Sequence, residues 1–201
     1  MIIINKYPEN HEIVKDMESI RKVNRHYVWE NFMRKYNCQI ICEIGVQRGN
    51  NFQEMIKHSP VEAVAIDSWI DDGVIGRNDS RFPQNELDKQ YTDFLETVKD
   101  KPFVKTLREY SFDAASHFED NHFDLVYIDG DHTFEGCSKD IEVWYPKVKA
   151  GGFLMGDDYR IYGGRTPGVT FGVIEAVQEY SRKNKLKFYL LPNYGWAYIK
   201  T

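Results

Sequence analysis

Gln39-Ile40-Ile41-Cys42-Glu43-Ile44-Gly45-Val46, continued by Gln47-Arg48-Gly49, is the stretch from which the fold is read. The run from Gln39 to Val46 is almost continuously apolar, as in a strand covered on both faces, where a half-exposed strand would alternate. It ends in a turn with glycines four apart. Phe52 to His58 then reads as a short helix, and Val61 to Ile66 as a second apolar strand closed by Asp67. Strand, helix and strand make a βαβ unit, whose strands run parallel.

The alternation continues outward from this unit. A helix is expected near Tyr91 to Lys99, a strand near Phe103 to Leu107, a short helix near Ala114 to Phe118 and a strong strand at Phe123 to Ile128. Helix Lys139 to Tyr145, strand Gly152 to Met155 and helix Gly172 to Asn184 follow. The chain then shows Lys187 to Leu191, a Pro192-Asn193-Tyr194-Gly195 turn and Trp196 to Lys200, a hairpin. The expected fold is therefore α/β, a doubly wound, seven-stranded, mostly parallel sheet ending in an antiparallel hairpin. Ser68 to Gln90 interrupts the rhythm with Asp71-Asp72-Gly73, Gly76, Asn78 and Pro83, a polar insertion longer than most loops and a lid by expectation. Ile13, Met17, Ile20, Val23, Tyr27 and Met33 recur at near-helical spacing, so residues 1–38 are expected to form a helical cap on a domain spanning 39–201.

The composition narrows the class. At 201 residues, 42% hydrophobic and 28% charged, the chain suits one globular domain with a sizeable core. A net charge of −5 with no basic stripe speaks against nucleic acid as a partner. No apolar run approaches the ~18 residues of a membrane span, and Met1 to Ile4 is too short for a signal-peptide core. Cys38, Cys42 and Cys137 match no zinc or redox spacing and read as buried thiols of a reducing, cytoplasmic compartment.

The chemistry is expected beyond the carboxyl ends of the strands, where open α/β sheets bind ligands. Gly45 and Gly49 allow a nucleotide or nucleoside close to the backbone, with Glu43 as an acidic neighbour. Gln47 stands where a dinucleotide fingerprint needs its second glycine, which disfavours a wrapped pyrophosphate. The plain alternative is a strand-to-helix turn without a ligand. Asp67, about 20 residues on, suits the two hydroxyls of a ribose, the alternative being a cap of the next segment. Tyr127-Ile128-Asp129-Gly130-Asp131-His132 and Gly156-Asp157-Asp158-Tyr159 end neighbouring strands, so Asp129, Asp157 and Asp158 are expected to converge. Three carboxylates need a cation, and hard oxygen ligands select Mg²⁺, Ca²⁺ or Mn²⁺. His132 is placed to take a proton, since an imidazole titrating near ~6.5 suits a general base. Trp69 and Tyr159 are more readily core or rim than pocket. His58, His117 and His122 carry no functional expectation.

With these residues in hand, the sequence resembles the class I S-adenosylmethionine-dependent methyltransferases, a Rossmann-like family. Glu43-Ile44-Gly45-Val46-Gln47-Arg48-Gly49 is similar to their first motif and Ile66-Asp67-Ser68-Trp69 to the ribose-binding second. Asp124 to Gly136, with Gly151-Gly152 and Gly156-Asp157-Asp158-Tyr159, resembles the metal-dependent macrocin-type sugar O-methyltransferases. The resemblance covers about residues 39 to 200. It implies S-adenosylmethionine as cofactor, held by Glu43, Gly45, Gly49, Asp67, Ser68, Ser111 and Asp129. It implies Mg²⁺ on Asp129, Asp157 and Asp158, with His132 as the catalytic base. The implied reaction is an in-line displacement on the sulfonium methyl by a hydroxyl oxygen of a small acceptor, a sugar by family, with a homo-oligomer as a further expectation. A catechol or phenol acceptor, a non-catalytic cofactor-binding protein and a metal-dependent hydrolase stand as alternatives.

Overall fold

Runs of apolar residues that need cover on both faces generate the sheet of this protein. The computed structural model describes residues 29–71, 82–161, 170–191 and 194–201. In chain order the elements are α1 (Trp29–Lys35), β1 (Ile40–Ile44), α2 (Asn50–Met55), β2 (Glu62–Asp67), α3 (Gln84–Val98), β3 (Val104–Arg108), α4 (Ser111–Ala114), β4 (Phe123–Ile128), α5 (Phe134–Trp144), β5 (Val148–Gly156), α6 (Val173–Asn184), β6 (Tyr189–Leu190) and β7 (Trp196–Ile199). Single 3₁₀ turns, Ile56–His58 and Ala115–His117, extend α2 and α4.

The seven strands lie in the order β3-β2-β1-β4-β5-β7-β6. The pairings from β3 across to β5 are parallel, and β7 runs antiparallel to both β5 and β6. The direction of strand addition reverses between β1 and β4, which opens the crevice where ligands of doubly wound sheets bind. Pairing of Ile44 with Ile128, and of Ile128 with Gly156, brings the carboxyl ends of β1, β4 and β5 level. The residues that follow them share one edge of the sheet for that reason.

Both faces are covered. Cys42, Ile44, Val64, Ile66, Val126 and Ile128 point to one side, against α5 and α6 through Ile141, Trp144, Ala176 and Val177. Ile41, Ala63, Ala65, Leu125 and Tyr127 point to the other, under α1, α2 and α3 through Phe32, Met33, Phe52 and Phe94. Full burial of one such side chain contributes about 1.5–3 kcal/mol. The three cysteines are free and buried, and burial pushes their thiols up, Cys38 to about 12.

The elements differ from expectation at their ends. The polar insertion is shorter than Ser68 to Gln90, because α3 starts at Gln84 directly after Pro83, whose fixed φ of −64° leads into a first turn. Helix α5 starts at Phe134, five residues ahead of the expected Lys139, with Thr133 accepting a hydrogen bond from the Gly136 N–H at 3.0 Å as an N-cap. Gly136 reads as a breaker but sits in the first turn because a Cβ there would meet Asp131 Cγ at 2.1 Å. Strand β5 reaches back through Gly151 to Val148, and β6 keeps only Tyr189 and Leu190. Residues 72–81, the middle of the expected lid, lie outside the described residues, as do Pro192, Asn193 and the helical positions Ile13, Met17, Ile20, Val23 and Tyr27. Among the described residues no helix is long and apolar enough to cross a membrane.

Candidate active site

A cavity of about 780 Å³ lies over the carboxyl ends of β1, β2, β4 and β5, bounded also by the segment after β3 and the start of α5. Its first wall is the turn after β1. Gly45 has φ +85° and carries no side chain because a Cβ would lie 2.0 Å from the Asp129 carbonyl oxygen. Its N–H donates to Ile66 O at 2.8 Å and the Asp129 N–H to Ile44 O at 2.8 Å, so three strand ends are laced together.

Asp67 closes β2 beside this turn. One carboxylate oxygen accepts from the Gln47 N–H and the other from the Trp69 N–H, each at 2.8 Å. Burial pushes the Asp67 carboxyl up, while those two N–H groups and the Arg108 charge pull it down. A carboxylate has about four acceptor positions, of which these N–H groups use two, and Asp67 lines the cavity. Trp69 is 1% exposed, holds φ +45°, and donates its indole N–H to Gln47 O at 2.9 Å while stacking on Phe94. It is both core and cavity wall, and Ser68 lines the cavity beside it.

The second wall is the acid cluster. Asp129, His132 and Asp158 bring one ligand-type atom each within 4.8 Å of one another. His132 Nε2 is 3.1 Å from Asp158 Oδ2 and 3.5 Å from Asp129 Oδ1. The imidazole stacks on Phe171, ring centres 4.5 Å apart, and the His132 carbonyl accepts from the Gly172 N–H at 2.8 Å. Asp158 sits in a left-handed turn, φ 58°. Asp157 lines the same cavity but lies outside that three-residue group. Its backbone is fixed, with the N–H donating to Ile128 O and the carbonyl accepting from Trp196 Nε1, each at 3.1 Å.

The far end is built by Tyr110, Ser111 and Phe112 against α5. Tyr110 and Phe112 stack, and the Lys139 ammonium lies over the Phe112 ring. Ser111 Oγ accepts from Trp144 Nε1 at 2.7 Å. Asp140 lines the cavity nearby and is 4% exposed. Burial, aided by the Asp131 charge, pushes its carboxyl up to about 7 against a hydrogen bond from Ser111.

Of the residues singled out in the sequence, Gly45, Asp67, Ser68, Ser111, Asp129, His132, Asp157 and Asp158 all line this cavity. Glu43 and Gly49 do not. Glu43 is 1% exposed on the opposite sheet face and accepts from Asn51 Nδ2 at 2.8 Å. Gly49, φ +74°, makes room for Phe94, whose ring would lie 2.4 Å from a Cβ. Tyr159 packs in the core and accepts from Gln178 Nε2 at 2.9 Å. Asp140, Lys139 and Arg160 are cavity residues that sequence reading passed over. The i to i+4 spacing of Asp140 and the core residue Trp144 on α5 was the one available signal.

Comparison with known proteins adds the following. A family model described as a methyltransferase domain matches residues 42–159. The chain is similar in structure to a putative caffeoyl-CoA O-methyltransferase from Staphylococcus aureus, with a TM-score of 0.62, 17% identity, and 96% of this chain and 93% of that one covered. It is similar also to the O-methyltransferase NovP, with a TM-score of 0.59, 18% identity, and 93% and 80% covered. At these identities the likeness is one of fold. An uncharacterised protein of Acanthamoeba polyphaga mimivirus is 33% identical over 63 residues, 29% of this chain and 28% of that protein, so the match spans under a third of that relative's length.

Proposed function

This chain belongs to the methyltransferase-domain family, and on that premise we propose that it transfers the methyl group of S-adenosylmethionine to a hydroxyl oxygen of a small acceptor, a sugar or sugar-containing molecule. The observation that carries this reading is one cavity lined by Asp67 at the end of β2 and by Asp129, His132 and Asp158 after β4 and β5. A nucleoside hydroxyl pair and a reacting hydroxyl need separate polar groups within one pocket.

In this reading the open acceptor positions of Asp67 take the ribose hydroxyls, and the bare backbone at Gly45 admits the cofactor alongside. Ser68 flanks the ribose, and Ser111 sits beside the adenine. The cofactor supplies an electrophilic methyl on a sulfonium, so the protein has chiefly to align the incoming oxygen and remove its proton. His132 takes that proton at Nε2, the nitrogen nearest both carboxylates. The stacked Phe171 ring holds the imidazole in plane.

Asp129 and Asp158, in a group that lies with His132 within 4.8 Å, offer the hard oxygens that suit a divalent ion. Asp129 and Asp158 would hold it, with Asp157 the adjacent carboxylate, and hard oxygen donors favour Mg²⁺. Such an ion would supply Lewis-acid chemistry that lowers the acceptor hydroxyl's pKa. Calorimetric titration of S-adenosylhomocysteine into the protein, with Mg²⁺ and with a chelator, tests the reading. Micromolar binding supports it and warrants a screen of hydroxylated acceptors. Absence of binding in both conditions overturns it and returns the acid cluster to hydrolase chemistry.

A further inference from the structure

Both carboxylate oxygens of Asp158 are engaged, Oδ2 facing His132 and Oδ1 paired with Arg160 Nη2 at 2.6 Å. Arg160 follows two residues later, and its backbone N–H donates to Asp158 O at 2.6 Å, so a tight turn returns the side chain onto the acid. The guanidinium carbon lies 5.4 Å from the Phe171 ring centre and 5.3 Å from that of Tyr194. Arg160 Nε is buried with no acceptor among the described residues. A planar, permanently charged group is thus clasped by two aromatic faces and aimed at one carboxylate oxygen.

Arg160 holds Oδ1 while Oδ2 faces the cluster, so an ion taken there would share one carboxylate with the guanidinium and be repelled across it. We propose that Arg160 is the built-in counter-cation of the acid cluster and sets its metal affinity. The guanidinium and a divalent ion compete for the charge of Asp158, so an ion binds more weakly while Arg160 is in place. The inference rests on the metal reading above and goes beyond it. Arg160 offsets one of the cluster's carboxylate charges without an ion and keeps the affinity for one low.

The test measures Mn²⁺ binding by electron paramagnetic resonance of the free ion, without turnover. Wild type is compared with Arg160→Gln, Arg160→Met and Arg160→Lys, each checked for S-adenosylhomocysteine binding and thermal melting. Competition predicts Mn²⁺ affinity at least about tenfold tighter in the two neutral variants and near wild type in the lysine variant. Unchanged or weaker Mn²⁺ binding in neutral variants that melt normally overturns the proposal, because a purely structural Arg160 could only weaken the site. If wild type and variants bind S-adenosylhomocysteine but none binds Mn²⁺, the metal reading and the competition both fail while the methyltransferase reading stands.

Discussion

Gly45 and Asp129 are in contact through their backbones, so that a single methyl group on Gly45 would lie 2.0 Å from the Asp129 carbonyl oxygen. The turn after β1 and the first acid of the cluster are therefore one rigid unit. Whatever moves the turn also moves the carboxylate.

Gly45→Ala is accordingly expected to be costly on two grounds, the left-handed φ of +85° and the contact with Asp129. Strain of the first kind alone costs about 1–3 kcal/mol. Denaturant unfolding should show at least that loss, together with weaker S-adenosylhomocysteine binding. Stability within about 0.5 kcal/mol of wild type would refute the contact.

Asp67→Ala removes a charged acceptor from the cofactor end. Binding of S-adenosylhomocysteine should weaken by on the order of 1.5–3 kcal/mol, read by calorimetry. Asp67→Asn should do little better, since its amide N–H₂ would face the Gln47 or Trp69 N–H that the carboxylate now accepts. Wild-type affinity in both variants would remove Asp67 from the site.

The two neighbouring acids after β5 should separate in a metal titration. Asp158→Asn is expected to reduce Mn²⁺ affinity more than Asp157→Asn, because only Asp158 shares the 4.8 Å group with Asp129 and His132. Equal losses, or the reverse order, would put Asp157 among the ligands instead.

Asp140 predicts a dependence of stability on pH. An ordinary aspartate titrates near ~3.9 in the unfolded chain, whereas burial holds this one at about 7 when folded. Between those values the folded state keeps a proton that the unfolded state has lost, so stability falls as pH rises from about 4 to about 7. The urea midpoint of wild type should drop from pH 5 to pH 8 more than that of Asp140→Asn. Parallel profiles would show that Asp140 titrates normally.

Much of this architecture was legible because strands buried on both faces leave a continuous apolar trace. Phe123–Ile128 is found residue for residue, and the acids that follow it line the cavity. Helix starts were harder. Gln84 to Gln90 carries mostly polar side chains on an exposed helix, and Gly136 hides the first turn of α5 behind a residue that usually ends helices. Gly49 illustrates a deeper limit, since its absent side chain answers to Phe94, 45 positions away in sequence and invisible to local pattern. Arg160 reaches the cavity only through a turn that folds it back, whereas Asp140 shares the helix face of Cys137, Ile141 and Trp144, where a carboxylate is out of place in a core pattern.

The indole of Trp69 bonds to the Gln47 carbonyl within the turn that would receive the nucleoside, while the other three tryptophans, Trp29, Trp144 and Trp196, stand outside the cavity lining. That placement equips the protein with an intrinsic optical probe. Its emission should respond to filling of the pocket, and a Trp69→Phe variant would identify the source of the signal, allowing cofactor and inhibitor screening in plain cuvettes without labels.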